Sequence, residues 1–100
     1  MTAPRAAGDL GDVAAWFKLL GDPTRLRVLY RLLDAGTLTV GEIAASVDIS
    51  DSAVSSSLRL LRVAGVVVSE RRGRTVQYHL ADEHVRLLLE VARSPTHHRR

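Results

Sequence analysis

Apolar residues recur at helical intervals in five stretches of this chain and at strict alternation in one. Val13, Trp16, Phe17 and Leu20 stand at i, i+3, i+4 and i+7, which predicts a first amphipathic helix from about Asp9 to Leu20. Gly21-Asp22 ends it. Asp22 then has the chemistry of an N-cap and Pro23 that of a first-turn residue for a second helix, whose apolar repeat is Leu26, Leu29, Tyr30 and Leu33 and whose stop is Gly36. Thr39 and Glu42 have capping-box spacing, and Val40, Ile43, Ala44 and Val47 supply the buried face of a short third helix. Asp48-Ile49-Ser50 is a tight connection into a fourth helix, Asp51 to Ala64. A fifth runs from about Asp82 to Ala92 on the repeat Val85, Leu88, Leu89 and Ala92.

The fourth helix has two faces of different chemistry. At about 100° per residue, Ser52, Ser55, Ser56, Arg59 and Arg62 share one stripe while Val54, Leu58 and Leu61 lie opposite. Short hydroxyls allow a close approach, and guanidiniums bond phosphates or guanine edges. Gly65 suits a left-handed helix stop. Beyond it Val66-Val67-Val68 is β-branched and Thr75 to Leu80 alternates, with Val76, Tyr78 and Leu80 inside and Thr75, Gln77 and His79 outside. Arg71-Arg72-Gly73-Arg74 joins the two runs as a basic hairpin tip whose side chains project freely. A short helix, a tight turn, a helix with a basic polar face and a hairpin make a winged helix-turn-helix. The predicted fold is therefore mainly α with a β-hairpin wing, about five helices and two strands. Residues 1–8 are read as a flexible arm, 9–93 as the DNA-binding and dimerisation domain, and 94–100 as a flexible His/Arg tail.

Charge sharpens this picture by where it lies. The net charge is only +3, but residues 1–58 carry five basic against seven acidic side chains and residues 59–100 carry nine against four. The positive half holds the polar helix, the wing and the tail, which suits a polyanion. Arginine-rich surfaces also arise from base composition alone, so charge by itself leaves nucleic-acid binding open. One hundred residues make a small domain that gains stability by oligomerising, and the apolar stripes of the first and fifth helices are its candidate homodimer surface. Ordinary core packing is the alternative use of those stripes. With no cysteine, disulfides and thiolate metal sites are excluded. The absence of a long apolar run or signal-like segment implies no membrane partner and a cytoplasmic location.

The chain resembles the ArsR/SmtB family of metal-responsive winged-helix regulators. The resemblance rests on Leu20-Gly21-Asp22-Pro23-Thr24-Arg25-Leu26, Leu38-Thr39-Val40-Gly41-Glu42-Ile43-Ala44, Ser52-Ala53-Val54-Ser55, Leu58-Arg59-Leu60-Leu61-Arg62, Ala64-Gly65, Gly73-Arg74 and Tyr78. It implies a homodimeric repressor that occupies a double-stranded DNA operator, with the fourth helix in the major groove. Carried over residue by residue, Ser52, Ser55, Ser56 and Arg59 are base or phosphate contacts, and Arg71, Arg72 and Arg74 reach flanking backbone or minor groove. Ser56 and Ser57 stand where the family often has histidine or glutamine, so operator preference does not transfer.

The same resemblance implies a metal site of one kind and excludes another. Thr39 and Gly41 occupy the positions of the family's paired third-helix cysteines. A second family site joins an Asp-x-His pair at the start of the fifth helix to two later histidines of the other protomer, and Asp82-Glu83-His84 matches its first half. The later ligands fall at Pro95 and His98, with His97 as the available substitute for the first. Asp82, His84, His97 and His98 are thus the candidate ligands, for nickel ahead of zinc or cobalt, because nitrogen and oxygen donors without sulfur suit these ions. The plain alternative is that Asp82 only caps its helix, Glu83 only favours the helix dipole, and the tail is solvated. His79 is read as an exposed strand residue.

No nucleophile-base set, carboxylate pair, phosphate-cradling loop or cofactor motif is present at workable spacing, so an enzyme is not expected. Two other functions stay open at this stage. One is a regulator with a degenerate metal site controlled by a partner protein; the other is a protein-interaction module.

Overall fold

The computed structural model describes residues 10–94. The arm assigned to residues 1–8 and the tail histidines His97 and His98 lie outside the described residues. In chain order the elements are α1 (Leu10–Leu20), α2 (Pro23–Ala35), β1 (Leu38–Thr39), α3 (Val40–Val47), α4 (Asp51–Val63), β2 (Val67–Arg72), β3 (Thr75–Leu80) and α5 (Glu83–Ala92).

Local chemistry sets the helix starts. The Asp22 carboxylate accepts the Arg25 N–H at 3.0 Å, and Pro23 follows it at the first helical position of α2. Thr39 and Glu42 close the expected capping box: the threonine hydroxyl accepts the Glu42 N–H at 3.2 Å and the glutamate accepts the Thr39 N–H at 2.8 Å. Ser50 caps α4 through the Ala53 N–H at 3.1 Å, and Asp82 caps α5 through the Val85 N–H at 3.1 Å. Gly65, after α4, takes φ of 80°, the left-handed stop expected of it.

α2 is the centre of the packing. Its Val28, Leu29 and Leu32 are fully buried and share one core with Ile43 of α3, Val54, Leu58 and Leu61 of α4, Val66 and Val67 before and in β2, and Leu80 of β3. Three strands are present where two were expected. The sheet order is β1-β3-β2, all antiparallel, with Leu38 opposite Tyr78 and Thr39 opposite Gln77. Two residues have no periodicity of their own. β1 exists because the extended backbone needed at the N-cap Thr39 lies beside β3 and pairs with it.

The terminal helices divide their apolar residues between the core and the surface. Leu20, Val85 and Leu89 are buried, so part of each stripe serves ordinary core packing. Leu10 and Phe17 of α1 and Leu87 and Val91 of α5 are exposed instead. Beside them an apolar groove of about 310 Å³ opens between α1, α2 and α5, lined by Phe17, Leu20, Leu26, Tyr30 and Leu88. Polar contacts clasp the C-terminal end of α5 to α2. Tyr30 donates its hydroxyl to the Leu89 carbonyl at 2.7 Å. Arg93 forks onto both Asp34 oxygens at 3.1 and 2.8 Å, with its guanidinium carbon 4.7 Å from the Tyr30 ring centre.

Candidate nucleic-acid interface and metal-ligand pair

α3 and α4 are joined by Asp48, Ile49 and Ser50, with Asp48 in the left-handed region at φ 57° and its N–H on the Ala44 carbonyl at 3.1 Å. Aspartate tolerates that conformation better than most side chains, and it turns the chain sharply into the Ser50 cap. Val54, Leu58 and Leu61 then lock the inner side of α4 into the core. On the outer side Ser52, Ser56, Arg59 and Arg62 are exposed and Ser55 is half-buried. Four of the expected α4 contacts, Ser52, Ser55, Ser56 and Arg59, therefore lie off the core-packed face, with Ser55 at its edge. Ser57 is buried and takes no place on that surface. The outer side is less uniformly polar than the stripe suggests: Leu60 and Val63 are about half exposed and border a groove of about 220 Å³ against Ala15, Trp16 and Leu19 of α1.

The wing departs from its expected form. β2 runs on to Arg72, and the hairpin closes through the two residues Gly73 and Arg74, with Gly73 at φ 63°. Arg71 and Arg72 are thus strand residues rather than members of a free tip. The exposed end of β2 is polar on both faces, so it carries no alternation to mark it as strand; its backbone stays extended by pairing Arg72 with Thr75. Directly opposed residues of an antiparallel pair share a face. The register places Val67, Ser69 and Arg71 with Leu80, Tyr78 and Val76 on the inner face, and Val68, Glu70 and Arg72 with His79, Gln77 and Thr75 on the outer. Arg71 and Arg72 consequently project to opposite sides. Arg71 Nη1 donates to the Gly73 carbonyl at 3.4 Å, whereas Arg72 Nε lies 3.4 Å from a Glu70 carboxylate oxygen. Arg74 is exposed in the turn. Glu70 went unremarked in the sequence, although a Glu-x-Arg spacing in a strand puts the two charges on one face.

At the start of α5, His84 Nδ1 lies 3.9 Å from Asp82 Oδ1. Two donors that far apart both reach one ion at about 2.0–2.2 Å after a small rotation of the imidazole. The His84 side chain is 94% exposed and free to make that rotation. Asp82 meanwhile serves as the helix cap through the same Oδ1, and because a carboxylate oxygen carries two lone pairs, both readings of this residue are compatible. Glu83 pairs with Arg86 at 3.3 Å, and His79 Nδ1 sits 3.0 Å from the Leu80 carbonyl. Among the described residues no group of three His, Cys, Asp or Glu side chains converges, and the expected partners His97 and His98 lie outside them. The pair fits a transition ion as half of a ligand set.

Among the described residues no helix is long and apolar enough to cross a membrane. The profile of the family described as "Bacterial regulatory protein, arsR family" matches residues 22–69, which span α2 through the start of the wing. The chain is 40% identical over 91 residues to the HTH-type transcriptional regulator NmtR of Mycobacterium tuberculosis, covering 91% of this chain and 75% of that protein. It is 41% identical over 81 residues to a cadmium resistance transcriptional regulatory protein, a CadC homolog of Staphylococcus aureus, covering 81% and 67%. In three dimensions it resembles the solution structure of apo-NmtR, with a TM-score of 0.78, 37% identity, and coverage of 97% of this chain and 81% of the other.

Proposed function

Because the chain belongs to the arsR family of bacterial regulatory proteins, we propose that it is a homodimeric cytoplasmic repressor that reads operator DNA with α4 and the wing and responds to a divalent transition metal. Family membership makes it a transcriptional regulator rather than an enzyme. The observation that carries the DNA reading is the division of α4, whose Val54, Leu58 and Leu61 are sunk in the core while Ser52, Ser56 and Arg59 face solvent. Ser52, Ser55, Ser56 and Arg59 meet base edges or phosphates, and Arg71, Arg72 and Arg74 meet flanking backbone.

The dimer forms through the exposed Leu10 and Phe17 of α1 and Leu87 and Val91 of α5. Asp82 and His84 hold the metal with His97 and His98 of the other protomer. Two α5 helices antiparallel across a two-fold axis would bring the chain following one α5 to the start of the other. When bound, the ion supplies a bridge between protomers and a bias toward one relative orientation. The two α4 helices must lie about one DNA turn apart, so orientation controls affinity. Nickel is placed ahead of zinc or cobalt on the nitrogen and oxygen donor set.

The test is fluorescence anisotropy on duplexes from upstream of the protein's own gene, with and without nickel, zinc and cobalt, at several salt concentrations, beside calorimetric metal titration. Specific binding shifted by one ion, with the shift lost in His84→Ala and in His97→Ala/His98→Ala, is the expected result. Metal binding unchanged in both variants would remove the α5 site and leave a regulator controlled by a partner protein. Absence of DNA binding would leave an interaction module.

A further inference from the structure

We propose that Glu70 acts as an electrostatic brake on the wing, holding the Arg72 guanidinium away from phosphate and thereby lowering affinity for DNA of any sequence. This rests on the DNA-binding reading and adds to it a residue that limits binding.

The three wing arginines differ in what holds them. Arg71 is on the inner face and leans on the Gly73 carbonyl, and Arg74 is exposed at the turn. Arg72 stands two residues from Glu70 on the outer face, their side chains 64% and 49% exposed, with Nε 3.4 Å from the carboxylate. The backbone beneath the pair is fixed. Arg72 is paired with Thr75, whose hydroxyl donates to the Arg72 carbonyl at 3.0 Å, and Glu70 is paired with Gln77. The residues directly across from the two charges, Thr75 and Gln77, are uncharged, and His79 lies on the same face diagonal to Glu70 and away from Arg72, so Glu70 is the carboxylate beside Arg72 on this face.

Each cation placed against phosphate releases about one counterion and steepens the salt dependence by about one unit. An arginine already neutralised by a carboxylate has to surrender that partner first, and the carboxylate left behind repels the duplex. An exposed pair of this kind is worth little to folding. Its consequence lies in the binding step, where sequence-independent attraction to phosphate is reduced while base contacts from α4 are untouched. A regulator that must find one operator among many competing sites gains selectivity from such a reduction.

The experiment uses the full chain and two unrelated 30-base-pair duplexes, one from upstream of its own gene and one of scrambled sequence, with affinities measured between about 50 and 200 mM salt. Glu70→Gln, isosteric and on the surface, is expected to bind both duplexes about three-fold or more tighter at the low-salt end and to steepen the salt slope by close to one unit. In an Arg72→Gln background the same substitution is expected to gain less than half as much on a logarithmic scale. Glu70→Gln binding no tighter than wild type would overturn the brake. An equal gain with and without Arg72 would also overturn it, since Glu70 would then act as diffuse charge. Wild type binding neither duplex would overturn the DNA reading and the brake together; wild type binding with no gain in Glu70→Gln overturns the brake alone.

Discussion

Asp82 is asked to do two things, and one pair of substitutions separates them. As a cap, its Oδ1 accepts the Val85 N–H at 3.1 Å, one of the four donors that α5 cannot satisfy internally. As a ligand, it stands 3.9 Å from His84 Nδ1. Asp82→Ala removes both roles, and loss of an N-cap costs about 1 kcal/mol, with about 0.3 kcal/mol more for the lost charge at the helix start. For a domain of this size that is about a 5–10 °C fall in melting temperature. Asp82→Asn keeps the cap, since asparagine caps as well as aspartate, and loses only the charge, so it should melt within about 2–3 °C of wild type. Its metal affinity should nevertheless fall at least about ten-fold, the minimum seen even for residues that merely support a ligand. Thermal melts at one fixed protein concentration and metal-free buffer, beside calorimetric titration with nickel, zinc and cobalt, give both readouts. Full metal affinity in Asp82→Asn would refute the ligand role. A melt of Asp82→Ala indistinguishable from wild type would refute the cap's contribution.

Other expectations concern the core, the clasp and the dimer. Leu58→Ala, at a fully buried site on the inner side of α4, should cost about 2–5 kcal/mol in urea unfolding and abolish DNA binding through loss of the helix; a cost below about 1 kcal/mol would contradict the packing. The Arg93 fork holds the Asp34 carboxyl below the ordinary value of 3.8. A depressed carboxyl favours the folded state above its unfolded pKa and loses that advantage as pH falls through its folded one. The urea midpoint of Asp34→Asn should therefore lie below wild type at neutral pH and meet it in acid below the ordinary value, whereas a gap independent of pH would exclude the ion pair as its cause. Phe17→Asp and Leu87→Asp, both at exposed positions, should leave the fold intact and shift sedimentation from dimer to monomer; unchanged dimers in both would place the interface elsewhere.

Local chemistry was readable along the chain, and distant pairing was not. Asp22, the Thr39/Glu42 box and Gly65 announce helix ends because a cap bonds three residues away or sets its own φ. The two faces of α4 follow from its 3.6-residue period, and Val54, Leu58 and Leu61 are indeed buried. β1 escaped because a two-residue strand has no pattern, and it is defined by β3, which arrives nearly forty residues later. The same limit hid the clasp, since Tyr30 and Asp34 meet Leu89 and Arg93 across 59 residues. The free arginine tip was misjudged because alternation was sought in apolar residues, and the outer half of β2 is polar on both faces, held extended only by its pairing with β3. At the candidate metal site the Asp-x-His spacing signalled a pair that the fold brings within 3.9 Å, while His97 and His98 lie outside the described residues.

β2 is also an edge strand, since β3 lies between it and β1. Its outward row of backbone donors and acceptors is open to another chain, and at its start Val67 and Val68 are the kind of residues that favour such pairing. Glu70, Arg71 and Arg72 close the strand with three consecutive charges, so they guard the sheet against edge-to-edge aggregation. Wing variants stripped of charge would meet this second demand before any operator: their solubility at high concentration should decline in step with the number of charges removed.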